Sequence, residues 1–236
     1  VILYRYDFQI KLSTDQFSAL FPSPNEGPAK IQTIIEDSQG KAFWATAFHS
    51  SMMVPWEKFF RHLQSFLNLK LSGEDEPRIK YFVAFTDNGF VTPFEFSMFL
   101  KWFGPLAGCT KRVLRPLNAG FLTGFIPAIE AHQLLSSPSI KQVGCFLVRF
   151  SKTRAGAFAL TFIDSHKHIK HCLLFRQKGG ITLRNPPDLY DDLCEFINAH
   201  KTRLRTPLNY FDGDRIQAER KQQQQQQQNN LFLPPQ

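Results

Sequence analysis

The stretch GCFLVRFSKTRAGAFALTF, residues 144–162, places the strongest constraint on how this chain can fold. Its two ends, CFLVRF and AFALTF, carry apolar residues on both faces of a β-strand, which is typical of central strands covered on both sides. The polar residues SKTRAG between them predict a short turn. Arg149 lies inside the first strand, where its guanidinium is expected to be buried although it cannot lose its proton.

A buried guanidinium needs an anion close to it. Residues 141–184 contain nine lysines or arginines and a single acidic residue, Asp164. We therefore predict that the anion is a ligand with several oxygens, such as a phosphate, which accepts paired hydrogen bonds from arginine. A structural arginine paired with a distant carboxylate is the alternative. The candidate ligand contacts in the strand, the turn and the third strand are Arg149, Ser151, Lys152, Thr153, Arg154 and His171.

Patterning divides the chain into four parts. In residues 1–37, an alternation of period two predicts strands at 1–12 and 30–36. Residues 38–118 predict an all-α region rich in aromatic side chains, with helical spacing in VPWEKFFRHLQSFLNL. Residues 119–213 predict a helix within GFIPAIEAHQLL, a three-stranded antiparallel meander and a helix at 188–200. Residues 214–236 hold seven consecutive glutamines and predict a disordered tail.

Three other candidate sites are weak. AFTDNGFVTPFE, residues 84–95, imitates a calcium loop that ends at Glu95, but Ala84 stands where the first oxygen ligand is needed. The histidines at 166, 168 and 171 fall on different faces of a strand, which disfavours a metal site. No oriented base accompanies Cys145 or Ser151, so the sequence predicts no enzyme, no metal and no cofactor.

Composition and charge limit the class of protein. The chain is 43% hydrophobic with a net charge of +8, and its four cysteines form no CxxC pair. We expect buried, reduced thiols in a cytoplasmic or nuclear protein. The sequence has no signal peptide and no apolar run long enough to cross a membrane. Since it begins with Val1, we expect it to be a piece of a longer protein.

The residues around Arg149 resemble an SH2 domain. The matching features are G-x-F-L-V-R-F-S at 144–151, the turn that ends at Gly156, F-A-L-T-F on the second strand, K-H at 170–171 and GGITL before the last helix. This resemblance implies that Arg149 holds the phosphate of a phosphotyrosine and that His171 forms the floor of the pocket. Ala128 and Leu173 stand where many SH2 domains have basic residues, so Lys152 and Arg154 are expected to compensate.

WFGPLAGCTKRVLRPLNAGFLTGFIP, residues 102–127, resembles the linker and SH2 start of STAT transcription factors. The implied fold class is α+β: an SH2 sandwich, with an antiparallel sheet between two helices, preceded by an all-α linker domain and the last strands of a β-sandwich. The implied function is a non-enzymatic transcription factor that binds DNA through its upstream region. Its SH2 domain would bind a phosphotyrosine segment of a second copy, giving a homodimer that a tyrosine kinase activates and that moves from cytoplasm to nucleus.

Cbl-type ubiquitin ligases are the alternative. FPSP, FWATAFHSSMMVPW, DNGFVTPFEF and the S-x-T-R turn resemble the helical bundle, EF-hand and SH2 series of that family. This alternative predicts a helix rather than a strand at the start of the chain, together with a bound calcium ion. The alternating first twelve residues and GFIP favour the STAT interpretation, and another SH2 adaptor is the third possibility.

Overall fold

The computed structural model describes residues 34–68, 73–85, 89–137, 140, 142–151, 153–177, 180–183 and 188–208. The predicted strand at 1–12, most of the predicted strand at 30–36, the predicted tail at 214–236 and Lys152 lie outside the described residues. The last residues of the second predicted strand, 34–36, are not in a strand.

The first half of the described chain is helical. Its helices are α1 (Ser38–Phe48), α2 (Trp56–Leu67), α3 (Asp75–Val83), α4 (Pro93–Phe103) and α5 (Cys109–Asn118). Two short strands, β1 (Val54–Pro55) and β2 (Phe90–Val91), pair antiparallel before α2 and α4. The paired loops bring the two helices together, as in an EF-hand-like arrangement.

Aromatic side chains fill the core of this helical half. Trp44 of α1 and Phe59 of α2 both pack on Phe96 of α4, with ring centroids 5.6 and 5.3 Å apart. All three side chains are almost fully buried. Stacked and edge-to-face rings contribute beyond the area that they bury. The aromatic density seen in the sequence is therefore explained by packing.

A capping box begins α4. The Thr92 hydroxyl accepts a hydrogen bond from the Glu95 backbone N–H at 3.2 Å, and the Glu95 carboxylate accepts one from the Thr92 N–H at 2.9 Å. Glu95 is fully buried. The carboxylate that the sequence places last in the calcium-like loop thus fixes the start of a helix. Residues 86–88 of that loop lie outside the described part, so the predicted absence of calcium stays a prediction.

We expect Thr92→Ala to lower the free energy of unfolding by about 1 kcal/mol, because α4 loses its N-cap. Thr92→Ser keeps the hydroxyl and should stay within a few tenths of a kcal/mol of the parent. Urea unfolding followed by tryptophan fluorescence measures both values. Equal stability of the alanine and serine variants would contradict this role of Thr92.

The second half forms a sheet between two helices. The sheet strands are β3 (Leu122–Gly124), β4 (Cys145–Phe150), β5 (Phe158–Ile163), β6 (Ile169–Gln177), β7 (Gly180–Leu183), β8 (Leu189–Tyr190) and β9 (Thr206–Pro207). Strands β4, β5, β6 and β7 are antiparallel neighbours in that order, while β3 and β9 pair parallel with β4. The helices are α6 (Ala128–Ser136) and α7 (Leu193–Ala199).

The two helices cover opposite faces of this sheet. Ala131 and Leu135 of α6 pack with Cys145, Leu147 and Ile163 on one face. Phe196 of α7 belongs to the larger core on the other face, which continues into the helical half of the chain. The sandwich predicted for residues 119–213 is therefore present, and the helical half packs against the same face as α7.

The structure departs from the sequence predictions at two helices. The predicted helix at 188–200 begins only at Leu193, since Asp192 caps it by accepting the Glu195 N–H at 2.9 Å and β8 precedes it. Helix α3 was not predicted, because its sequence DEPRIKYFV is charged and carries a proline. Neither α3 nor the other described helices are long and apolar enough to cross a bilayer.

Candidate functional site

Arg149 is buried in the sheet without a counter-ion among the described residues. It lies in β4 opposite Ala159 of β5 and is 7% exposed. Its Nη1 donates to the Phe150 carbonyl at 3.3 Å, whereas its Nε is buried and has no hydrogen-bond partner in the described structure. Burial lowers the pKa of Arg149. A cation kept in this state has unused donors for an incoming anion.

The turn after β4 is held by its own hydroxyls. Ser151 follows Arg149 by two residues and is almost fully buried. Its hydroxyl accepts the Arg154 N–H at 3.2 Å and lies 3.3 Å from the Thr153 hydroxyl. Gly156 adopts a positive φ of 82°, a conformation that glycine takes without strain. The turn therefore has a defined shape next to Arg149.

His171 stands on the same face of the sheet as Arg149. It pairs with Thr161 of β5, and its Nδ1 lies 3.0 Å from the Thr161 hydroxyl. Its pKa is lowered by burial first, then by the charges of Arg149 and His132. The arginine and the histidine that the sequence singled out are therefore close enough to feel each other's charge.

Arg154 contacts an aromatic side chain of β6. Its guanidinium carbon is 5.4 Å from the ring centroid of Phe175, which shares the His171 face of β6. A cation above an aromatic face is held by the ring quadrupole. The roles as phosphate contacts stay predictions for all six candidate residues: Arg149, Ser151, Lys152, Thr153, Arg154 and His171.

Sequence reasoning missed His132. This residue lies on α6, four positions after Ala128, and its ring centroid is 6.2 Å from that of His171. Residues four apart on a helix share a face. The sequence places His132 on the same side of the helix as Ala128, but the approach of His132 to His171 depends on how α6 packs on the sheet.

Helix α4 of the helical half contacts both ends of the turn that follows β4. The Trp102 indole of α4 stacks on Phe150 with ring centroids 4.2 Å apart, and its Nε1 donates to the Ala157 carbonyl at 3.0 Å. A Cβ at Gly156 would lie 3.1 Å from the Lys101 carbonyl oxygen. The residues at both ends of the turn thus rest on the last turn of α4.

The sheet, its flanking helices and the buried arginine define an SH2 domain joined to an EF-hand-like helical domain. Residues 121–200 match the SH2 domain family, and residues 34–114 match the EF hand-like domain of the CBL proto-oncogene N-terminus. The predicted SH2 fold is therefore confirmed, and the helical part is similar to a Cbl domain rather than to a STAT linker.

Two relatives with known names are similar to this chain. The chain is 36% identical to the E3 ubiquitin-protein ligase cblA of Dictyostelium discoideum over 91% of its length, which covers 34% of that protein. It is 24% identical to the dual specificity protein kinase shkB of the same organism, over 71% of this chain and 26% of shkB. This chain thus spans about a third of cblA and about a quarter of shkB.

A solved structure shares the fold. It is described as the inactive choanoflagellate E3 ubiquitin ligase Cbl TKB, and it matches 92% of this chain and 61% of its own with a TM-score of 0.54. The sequence identity is 19%, so the likeness concerns the fold alone.

These findings overturn the STAT interpretation. The match of residues 34–114 to a Cbl domain and the identity to cblA contradict a transcription factor, a STAT linker and DNA binding. The prediction of a non-enzymatic protein is wrong as well, because cblA is a ubiquitin ligase. Nothing in the described structure or in the relatives supports a homodimer or a preceding β-sandwich. The alternative weighed from the sequence is the one that the comparisons favour.

Proposed function

We propose that this chain is the phosphotyrosine-recognition region of a Cbl-type E3 ubiquitin ligase. It would recruit proteins that a tyrosine kinase has phosphorylated, so that ubiquitin can be attached to them. The observation that carries the proposal is Arg149, a buried cation with an unpaired Nε in the described structure. The order of an EF-hand-like domain and an SH2 domain supports the ligase class, as does the identity to cblA.

The pocket's chemistry favours a phosphorylated over a plain tyrosine. A phosphate brings about two negative charges and three acceptor oxygens. The guanidinium of Arg149 would donate to two of these oxygens, while the Ser151 and Thr153 hydroxyls would meet them from the turn. An unmodified phenol leaves the arginine charge uncompensated, and sites with unmatched buried polar groups reject such ligands strongly.

The proposed compartment is the cytoplasm or nucleus. Cys109, Cys145, Cys172 and Cys194 are all free thiols. Burial raises the pKa of Cys109 to about 12 and those of Cys172 and Cys194 to about 11. Thiols with a raised pKa are unreactive, which suits structural cysteines of a reducing compartment.

A chimera tests the ligase role. In Dictyostelium cells without cblA, we expect a cblA in which this chain replaces the matched segment to restore ubiquitin attachment to tyrosine-phosphorylated proteins. The matched control is the same chimera with Arg149→Leu, which should restore none of it. Affinity purification on phosphotyrosine antibodies followed by ubiquitin blotting measures the difference. Equal ubiquitination with both chimeras would contradict recruitment through this pocket.

A further inference from the structure

One end of the sheet brings together two segments that carry exposed cations. This end lies away from Arg149, since Gly144 precedes the arginine by about 17 Å of extended strand. The Arg205 backbone N–H donates to the Gly144 carbonyl at 2.8 Å. The Gly144 N–H donates in turn to the Ile163 carbonyl at 2.9 Å. The segment 200–208 and the turn between β5 and β6 therefore meet on either side of Gly144.

Strand pairing fixes how far apart the two segments lie. Phe146 of β4 pairs with Pro207 of β9 on one side and with Phe162 of β5 on the other. Phe162 pairs in turn with Lys170 of β6. Since neighbouring strands are about 5 Å apart, β9 and β6 lie about 15 Å apart across this row. Cations on both segments can therefore contact one surface at the same time.

The cations at this end form a basic surface, which we call the basic rim: Lys167, Lys170, Lys201, Arg203 and Arg205. All of these side chains are exposed. None of them forms an ion pair with a carboxylate in the part of the chain that the structure describes. The rim therefore presents its positive charges to solvent.

The rim has little negative charge around it. Asp164 is the one acidic residue in the three segments that build this end, residues 142–146, 162–170 and 200–208. Its Oδ1 accepts the His168 backbone N–H at 2.8 Å, and this hydrogen bond lowers the pKa of Asp164. The carboxylate is thus engaged within its own turn, and the rim keeps a net positive charge.

A structural role explains only part of the rim. Lys201 follows the last turn of α7, where a cation interacts favourably with the helix dipole. Arg203 and Arg205 lie beyond the helix, and Lys167 and Lys170 belong to a different part of the sheet. Like charges that share one surface repel each other and oppose the compact state. The stability of the fold therefore does not account for these four cations.

The composition of the rim favours a lipid surface as its partner. None of the large apolar side chains that are exposed in the described structure lies in the three segments. Protein interfaces centre on aromatic or apolar anchors, and single-stranded nucleic acids stack on aromatic rings. Clusters of about four to eight lysines and arginines, by contrast, bind anionic lipid headgroups through charge.

We propose that the basic rim holds this chain on the surface of an anionic lipid bilayer. The rim and Arg149 lie at opposite ends of β4, so a bilayer-bound chain keeps the arginine pocket open to the aqueous phase. Neither surface needs the other, and lipid binding does not depend on phosphotyrosine recognition.

Co-sedimentation of the full chain with vesicles tests the lipid contact. We expect binding to phosphatidylcholine vesicles that contain about 30% phosphatidylserine and none to pure phosphatidylcholine, because only the former carry a negative surface potential. Raising the salt concentration from about 0.1 to about 1 M should abolish the binding, since the Debye length falls from about 10 to about 3 Å. Equal binding to both kinds of vesicle would contradict the proposal.

Two variants on separate segments of the rim test its residues. Lys201→Gln/Arg203→Gln/Arg205→Gln should lower the vesicle partition coefficient roughly a hundredfold, because each lost cation costs roughly fivefold. Lys167→Gln/Lys170→Gln should lower it roughly thirtyfold for the same reason. Urea unfolding checks that each variant is folded, and either one that folds tests the rim.

Three exposed cations of the helical half supply the matched control, Lys58 and Arg61 of α2 and Lys111 of α5. Lys58→Gln/Arg61→Gln/Lys111→Gln removes the same net charge as the triple variant of the rim. It should stay within about twofold of the parental partition coefficient, because salt screens cations that lie far from the headgroups. Equal losses in the two triple variants would overturn the proposal, since net charge rather than the rim would then be responsible.

Two competition experiments exclude other binding sites and other partners. Phenyl phosphate should leave vesicle binding unchanged, whereas displacement of the chain from the vesicles would place the headgroups in the Arg149 pocket and overturn the role of the rim. A double-stranded oligonucleotide should not release the chain from vesicles. Tight binding of the oligonucleotide without any binding of vesicles would make the rim a nucleic-acid surface and overturn the proposal.

Discussion

Arg149→Leu is expected to abolish the discrimination between phosphorylated and plain tyrosyl peptides while the protein stays folded. Truncating one partner of a buried, hydrogen-bonded charge pair costs about 2–5 kcal/mol of binding free energy. The phosphopeptide affinity should therefore fall at least roughly thirtyfold, toward that of the plain peptide. Calorimetry with both peptides measures the loss.

The same substitution is expected to stabilise the ligand-free protein. Arg149 is 7% exposed, and its Nε has no partner among the described residues. A buried unsatisfied polar group costs about 1–3 kcal/mol, and leucine removes this cost. Urea unfolding without peptide should therefore show a stability equal to or above that of the parent. Saturating phosphopeptide should raise the melting temperature of the parent only, because a ligand stabilises the state that binds it.

Arg205→Leu is the matched control for charge. Arg205 is exposed, and its backbone N–H donates to the Gly144 carbonyl, at the opposite end of β4 from the turn that follows Arg149. The variant removes the same net charge but should keep parental affinity. Strong destabilisation of Arg149→Leu, or its retention of phosphate selectivity, would show that the arginine serves the fold rather than a ligand.

The part of the site that could be predicted from sequence is the part that depends on neighbours along the chain. Alternation in CFLVRF places Arg149 in a buried strand, and the polar residues that follow it indicate the turn. His132 was missed because its closeness to His171 depends on how α6 is rotated on the sheet, which no local pattern reports. The position of the Arg154 guanidinium likewise depends on its contact with Phe175, which is distant in sequence.

The error in family has a different cause. Aromatic residues at helical spacing predict packed helices but not how the helices are arranged, so the pattern of residues 38–118 fits a linker as well as an EF-hand-like pair. The feature that distinguishes the EF-hand-like pair from a linker is the pairing of β1 with β2, in which Val54 lies opposite Val91. This pairing joins two loops that are far apart in sequence. The sequence of the loop 84–95 indicated an EF-hand-like series as one alternative, but it did not report the pairing of β1 with β2 that joins the two loops.

Trp102→Ala is expected to damage both the fold and the phosphate pocket. The indole is 3% exposed, and it stacks on Phe150, the residue that follows Arg149. Removing a buried tryptophan costs about 3–5 kcal/mol of unfolding free energy. The Ala157 carbonyl also loses its indole donor, although the Ser151 N–H still reaches it at 3.0 Å. Because Ser151 and Ala157 bracket the turn, phosphopeptide affinity should fall roughly tenfold in the folded protein.

Trp44 offers a matched control for this prediction. It is equally buried, and its Nε1 also donates to a backbone carbonyl, that of Ser51, at 3.0 Å. Trp44 packs within the helical domain and does not contact the turn, so Trp44→Ala should lower stability by a similar amount while affinity stays parental. Urea unfolding and calorimetry, corrected for the folded fraction, give both values.

Where either alanine variant fails to fold, the Trp102→Phe and Trp44→Phe pair makes the same comparison at a smaller cost in stability. An equal loss of affinity in both members of the pair would contradict a role specific to Trp102, whereas a loss confined to Trp102 assigns α4 a direct part in holding the turn between Ser151 and Ala157 in its binding-competent shape.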